Sequence, residues 1–189
     1  MEFAGLNIHP GSAKDKMINS QYIAMEYQSL LPAAQKPEYT EGYEGFIHLT
    51  DMEGEVEKST LRWIIRDHDM EKFQEKKAVM EAAADFINAK YGAGTVELTI
   101  KDSYFNMKKH IEPVMYVVDR AKAAMEKVGI RPLEVPIRGG TDGARLSYEG
   151  LPCPNLFTGG ENFHGRFEYI PVEDMEKGVE MLVTIMTNF

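Results

Sequence analysis

Two adjoining stretches decide how the first half of this 189-residue chain folds: Gly45-Phe46-Ile47-His48-Leu49-Thr50-Asp51-Met52-Glu53-Gly54, then Glu55-Val56-Glu57-Lys58-Ser59-Thr60-Leu61-Arg62-Trp63-Ile64-Ile65-Arg66. Residues 45–52 predict a strand, and Glu53-Gly54 a tight turn. Residues 55–66 predict a second strand, with Leu61, Trp63 and Ile65 facing one way and Arg62, Ile64 and Arg66 the other, the period-2 pattern of a half-buried strand. On each side of this hairpin lie a helix and a further strand. Upstream, Ser12 is placed to cap a helix with Ile18, Tyr22 and Met25 at helical spacing. That helix stops near Leu31, because Pro32 disfavours helical geometry in the residue before it. Residues 33–44 are polar, with Pro37, Gly42 and three acids, and read as a loop. Residues 3–8 read as a strand already under way at the start of the sequence. Downstream, Asp69 caps a second helix with Phe73, Met80, Ala84 and Ile87 on one stripe and Gly92 just past its end. Val96, Leu98 and Ile100 then alternate with Glu97, Thr99 and Lys101 as a fourth strand. The order βαββαβ is that of the ferredoxin-like split unit.

The pattern changes after Asn106. Pro113 suits the first turn of a helix, and Val114, Val117, Val118, Ala121, Met125 and Val128 form a broad apolar face. Residues 133–137 predict a short strand running into Arg138-Gly139-Gly140-Thr141-Asp142-Gly143. Another, near 155–158, runs into Gly159-Gly160-Glu161-Asn162-Phe163-His164-Gly165. A last helix begins at about Val172, with Val179, Leu182, Val183 and Met186 expected inward. Strand–loop–helix units of this kind belong to sheets covered on both faces. Two or three strands are too few for one, so the rest of the sheet is expected elsewhere. The fold class expected is α/β (α+β), with one domain over residues 1–106 and a second, less complete one over 107–189. The abrupt opening strand adds the expectation that the sequence is part of a longer protein.

Composition narrows the function classes. With 43% hydrophobic residues the chain can bury one substantial core or two modest ones. A net charge of −9 disfavours binding to a phosphate backbone, which needs clustered Lys and Arg, so no nucleic-acid partner is expected. No apolar run approaches the roughly 20 residues of a membrane helix, and none is expected. Met1-Glu2-Phe3-Ala4-Gly5 has neither the basic nor the apolar region of a signal peptide. The one cysteine, Cys153, excludes an internal disulfide and a multi-cysteine zinc knuckle. A reduced, cytoplasmic protein is the expectation.

Ligands of α/β sheets bind at loops beyond the carboxyl ends of strands, and both glycine-rich loops fall at such ends. In Arg138-Gly139-Gly140-Thr141-Asp142-Gly143-Ala144-Arg145 the backbone can cradle a substrate while the planar fork of Arg138 grips a carboxylate. The same residues also suit a plain tight turn with Thr141 capping the next helix. The Gly-Lys-Ser/Thr ending of a phosphate loop is missing. His164 can be a metal ligand, a general base or a hydrogen-bonded structural residue, since one imidazole makes no site. His9, in His9-Pro10-Gly11, carries the same alternatives. His48, His68 and His110 lack a partner pattern and read as surface or packing residues. Cys153, between two prolines, reads as small and buried rather than nucleophilic.

Six segments taken in order resemble the peptidase T family of aminoacylase-like, two-zinc metallopeptidases. Asn7-Ile8-His9-Pro10-Gly11-Ser12-Ala13-Lys14, Thr40-Glu41-Gly42-Tyr43-Glu44-Gly45-Phe46, Ile65-Arg66-Asp67-His68-Asp69 and Asp102-Ser103-Tyr104-Phe105-Asn106-Met107 resemble its inserted lid. Residues 138–145 and 151–160 resemble the close of its catalytic domain. The resemblance implies a ferredoxin-like lid and dimerisation domain over 1–106, then the C-terminal portion of a zinc-peptidase catalytic domain over 107–189. It implies that His164 ligates one of two zinc ions, and that His9 reaches the partner subunit's active site to stabilise the oxyanion. It also implies that Arg66, Asn106, Arg138, Gly139 and Gly140 hold the backbone and carboxylate of a short peptide. A tetrahedral intermediate needs a donor aimed at its new oxyanion, and a free carboxylate a planar cation. The expected activity is release of the N-terminal residue from tripeptides by a homodimer joined through the lid.

One departure from the family stands out. Its other zinc ligands and general base lie on a His-x-Asp motif, a bridging Asp, a Glu-Glu pair and a further Asp. Here none of the five histidines is followed two residues later by Asp, and no Glu-Glu pair occurs. The chain by itself is therefore expected to be inactive. The alternative expectation is a non-catalytic dimerisation or binding module left from a truncated peptidase.

Overall fold

A computed structural model describes residues 1–188, and its contacts divide the chain into two compact units, Met1–Ser103 and a second beginning at Tyr104. Phe189 lies outside the described residues.

The first unit is a mixed antiparallel sheet and helix fold. Strands β1 (Glu2–Ala4), β2 (Phe46–Gly54), β3 (Lys58–Arg66) and β4 (Val96–Glu97) form one sheet in the order β2-β3-β1-β4, with every neighbouring pair antiparallel. Helices α1 (Ser20–Leu30) and α2 (Met70–Tyr91) connect β1 to β2 and β3 to β4. This is the split βαββαβ order expected from the hairpin outward. Leu61, Trp63 and Ile65 turn inward as their alternation requires, against Phe3, Ile23, Tyr27, Met80, Ile87 and Val96. The rings of Phe3 and Trp63 meet Tyr27 edge-on at 5.6 and 5.4 Å. Buried Tyr27 donates its hydroxyl proton to the Met80 carbonyl at 3.0 Å, and burial pushes its phenol well above the usual range. Asp69 caps α2 by accepting from the Lys72 N–H at 3.0 Å, and Gly92 ends it at φ +111°.

Several boundaries differ from the sequence expectation. Ser12 caps no helix: Pro10–Ser12 is a single 3₁₀ turn, and α1 starts after Asn19, whose side chain accepts from the Gln21 N–H. Ile18, Tyr22 and Met25 are exposed, whereas Ser20, Ile23, Ala24 and Tyr27 are buried. Helical spacing fitted both stripes, and only the sheet selects between them. The hairpin turn lies at residues 55–58, closed by the Glu55 N–H on the Lys58 carbonyl at 2.8 Å, and not at Glu53-Gly54. A bulge at Thr50, between Leu49 and Asp51, shifts the register and lengthens β2. The fourth strand keeps only Val96–Glu97, because its one partner, β1, is three residues long.

The second unit is helical among the described residues: α3 (Lys108–Ile111), α4 (Tyr116–Lys127), α5 (Asp142–Tyr148) and α6 (Val172–Asn188). Ala124, Val128 and Met181 are buried together, with Met125, Ile130, Leu156, Phe157 and Ile185 packed around them. The strands expected over 133–137 and 155–158 do not form; the one β contact here is an isolated bridge between Glu161 and Tyr169. A strand needs a neighbour to complete its hydrogen-bond ladder, and the described residues of this unit supply none. The inward face expected for α6 is also corrected. Met181 and Ile185 face the core, whereas Val179, Leu182, Val183 and Met186 are exposed.

Candidate functional site

In the first unit, His9 sits exposed on the turn that follows β1. Its Nδ1 accepts the Gly11 N–H at 3.1 Å. That bond fixes the tautomer of the neutral ring, placing the proton on Nε2, where it is a donor. The Pro10-Gly11 sequence makes the bond, since the proline-led turn brings the Gly11 amide back over the ring.

Arg66 closes β3 and is half-buried, with its guanidinium donating to the Ile65 carbonyl at 3.2 Å. The next residue anchors this corner. The Asp67 carboxylate accepts from Lys76 of α2 at 2.7 Å and from the Asp69 N–H at 2.9 Å, and its side chain is 1% exposed against 9% for Lys76. A Cβ on Gly45 would fall inside that carboxylate, so the glycine is what lets β2 begin here. Beside it the His68 ring stacks edge-on to Tyr43 at 5.1 Å, with Nδ1 3.3 Å from the Tyr43 carbonyl. The segments 40–46 and 65–69, read separately in the sequence, are thus pinned together at one end of the hairpin.

Sequence reading missed Lys76 and left Asp67 without a role. The signal was present: Lys76 lies on the same stripe of α2 as Phe73 and Met80, and a charge on an apolar stripe calls for a buried partner.

In the second unit, the Asn106 side chain accepts from the Lys108 N–H at 2.9 Å, which opens α3, while its carbonyl accepts from the Tyr148 hydroxyl at 3.3 Å. Arg138 is half-buried and Gly139 and Gly140 are exposed ahead of α5. Thr141 caps α5 through the Ala144 N–H at 3.3 Å, as the tight-turn reading of this loop requires. Buried Ser147 donates to the Gly143 carbonyl at 2.7 Å and accepts from the Cys153 N–H at 2.9 Å. Gly143 leaves no room for a Cβ against the Cys153 carbonyl. Residues 138–145 and 151–155 are therefore held as one piece. Cys153 is half-buried, not fully buried as expected.

His164 is exposed and adopts a left-handed backbone at φ +64°, as does Asn162 at +56°. Its amide donates to Glu168 at 3.1 Å. Among the described residues no three His, Cys, Asp or Glu side chains converge as a metal site would require. The side chains present do not by themselves fit a zinc centre. No described helix is long and apolar enough to cross a membrane.

The model of the peptidase family M20/M25/M40 matches residues 5–188, and the chain belongs to that family. Peptidase T of Alkaliphilus oremlandii is 59% identical over 182 residues, which are 96% of this chain and 44% of that protein. Peptidase T of Clostridium acetobutylicum is 61% identical over 182 residues, 96% of this chain and 45% of that protein. A crystal structure of a tripeptidase from Staphylococcus aureus superposes with a TM-score of 0.75 at 20% identity, over 97% of this chain and 48% of that one. The chain thus spans less than half the length of the curated relatives it matches.

Proposed function

We propose that this chain is the lid and closing catalytic portion of a zinc-dependent aminopeptidase that releases the N-terminal residue from tripeptides in the cytoplasm. The observation that carries this reading is identity near 60% to Peptidase T proteins along almost the whole chain. Residues 1–106 act as the lid and residues 107–189 as part of the catalytic domain. His9 serves as the oxyanion donor through Nε2–H, a role its bond to Gly11 favours. Arg66, Asn106, Arg138, Gly139 and Gly140 hold the peptide backbone and carboxylate, and His164 ligates one zinc ion. No step through the metal follows from the residues present, because they make no complete metal site. The homodimer forms through the lid, a reading supported by the nine-residue edge strand β2 and by exposed Tyr22 and Met25 on α1.

The test is a chimera in which the 182 matching residues of the Alkaliphilus Peptidase T are replaced by this chain. It is expected to hydrolyse Leu-Gly-Gly, whereas this chain alone with added zinc does not. In the chimera, His164→Ala should abolish most activity. His9→Ala should lower kcat by about 10²–10³ with little change in KM, because an oxyanion donor acts mainly in the transition state. A well-folded chimera without turnover, or robust turnover by the isolated chain, overturns the reading. The lack of a three-residue metal cluster among the described residues favours a second reading, a non-catalytic binding or dimerisation module. The inactive but folded chimera is the outcome it expects.

A further inference from the structure

The loop that carries His9 leaves the first unit's sheet and returns to it through a narrow neck. Leu6 and Ile18 face each other there as an isolated antiparallel bridge, each N–H donating to the other's carbonyl, at 2.8 and 3.0 Å. Just below that bridge the chain meets the tip of the β2–β3 hairpin, and three successive carbonyls of the tip are taken up. Glu57 accepts from the Gly5 N–H at 2.7 Å, Val56 from the Ser20 N–H at 2.9 Å, and Glu55 from the Ser20 hydroxyl at 2.7 Å. The Ser20 oxygen also lies 2.8 Å from the Ser59 oxygen. A hydroxyl has one proton to donate. Ser20 gives its proton to Glu55, so Ser59 donates to Ser20. Both serines are buried, at 0 and 1% exposed. Gly5 permits the close approach, since a Cβ there would collide with the carbonyl oxygens of Val56 and Ile18.

A buried polar cluster with its bonds made holds one geometry, where an apolar contact would tolerate several. This one sits where one geometry matters. Gly11 and Ser12 grip His9 from within its own turn, through Nδ1 at 3.1 Å and through the carbonyl at 2.9 Å. Those bonds set the ring against the turn, and the neck sets the turn against the sheet. A donor aimed at a developing charge has to be held to within about 0.5 Å of its productive place, and an exposed loop needs a rigid base for that. We propose that Ser20, backed by Ser59, is a positioning residue: it locks the neck of the His9 loop to the hairpin tip and so fixes where the His9 Nε2–H stands. The proposal rests on the reading of His9 as the oxyanion donor and adds the device that aims it.

The test uses the chimera with the Alkaliphilus Peptidase T. Ser20→Ala should lower kcat for Leu-Gly-Gly by about ten- to a hundredfold at nearly constant KM, because misplacing a catalytic group by about 1 Å costs on that order. Ser59→Ala leaves the bond from Ser20 to Glu55 in place and should cause a smaller, measurable loss; it carries the same comparisons where Ser20→Ala does not fold. Added to His9→Ala, Ser20→Ala should cost nothing further, since no donor is left to aim. Tyr27→Phe deletes another buried hydroxyl bond of the same unit and should keep kcat. In the 189-residue chain itself, amide exchange at Leu6, Ile18 and Ser20 should speed up at least about tenfold in Ser20→Ala, with the β2–β3 ladder unchanged. Full turnover by both serine variants overturns the proposal, as does a loss that adds to that of His9→Ala or appears equally in Tyr27→Phe. An inactive chimera, or one in which His9→Ala is silent, sinks the oxyanion reading instead. The exchange rates then judge the neck alone: faster exchange keeps it as the anchor of the loop, and unchanged exchange overturns it.

Discussion

Replacing Lys76 by Met isolates the part that one buried ion pair plays in the first unit. Lys76 and Asp67 meet at 2.7 Å with side chains 9 and 1% exposed, and the Asp69 N–H also reaches the carboxylate at 2.9 Å. Removing the ammonium leaves a buried carboxylate uncompensated, a change that costs about 3–5 kcal/mol. The exposed cluster of Arg62 with Asp51 and Glu53 gives the contrast, since solvent screens pairs of that kind and side-chain entropy offsets much of what is left. The loss from Lys76→Met is therefore a large share of the roughly 5–15 kcal/mol that holds a domain together. Trp63 reports it cleanly. It is the sole tryptophan, it packs on Tyr27, and its indole N–H donates to Gln28 at 3.0 Å, all within the first unit. In urea, with a slope of about 1.5 kcal/mol per molar, the fluorescence midpoint should fall by about 2–3 M. Adding Asp67→Asn removes the stranded charge while keeping an acceptor for Asp69, so the double variant should be more stable than Lys76→Met alone. A midpoint shift below about 0.5 M, or a double variant no better than the single, refutes the argument that this pair anchors the corner carrying Arg66 and His68.

Two further outcomes are expected from the same urea titrations. Gly45→Ala forces a Cβ into the Asp67 carboxylate and the Arg66 carbonyl, and should cost about 1–3 kcal/mol; an unchanged midpoint would show that the corner yields. Glu26 is held below its ordinary value near 4.5 by the hydrogen bond from Lys90 at 2.6 Å and then by that from Tyr91 at 2.6 Å. A depressed carboxyl stabilises the fold above its ordinary value and loses that contribution as pH falls through the lowered one. The gap between wild type and Glu26→Gln should therefore narrow as pH falls below the ordinary value near 4.5, and a gap that widens would reverse the sign.

Much of the first unit's fold was legible in the sequence because its signals are local. The alternation of Leu61, Trp63 and Ile65 set the inward face of β3, Asp69 and Gly92 marked both ends of α2, and Pro32 ended α1. The order of these elements was enough for the ferredoxin-like topology. The sequence also picked out His9 and the Arg138 loop as candidates by residue type and position. It left open that the loop's Thr141 is a true helix cap and that His9 is locked by Gly11.

What only the tertiary structure decided is each choice between equivalent local patterns. Ile18, Tyr22 and Met25 have helical spacing as good as that of Ile23 and Tyr27, and packing against the sheet buries the second set. Two opposed apolar stripes run along α6, and contact with Ala124 and Val128 selects Met181 and Ile185. Residues 133–137 alternate like a strand, but a strand exists only where a neighbour accepts and donates its backbone hydrogen bonds. The apolar stripe of α2 signals that Lys76 needs a buried partner, but only the fold selects Asp67, nine positions away across the start of the helix. Propensity and periodicity act over a few residues of chain, whereas burial is settled by whatever the rest of the molecule brings alongside.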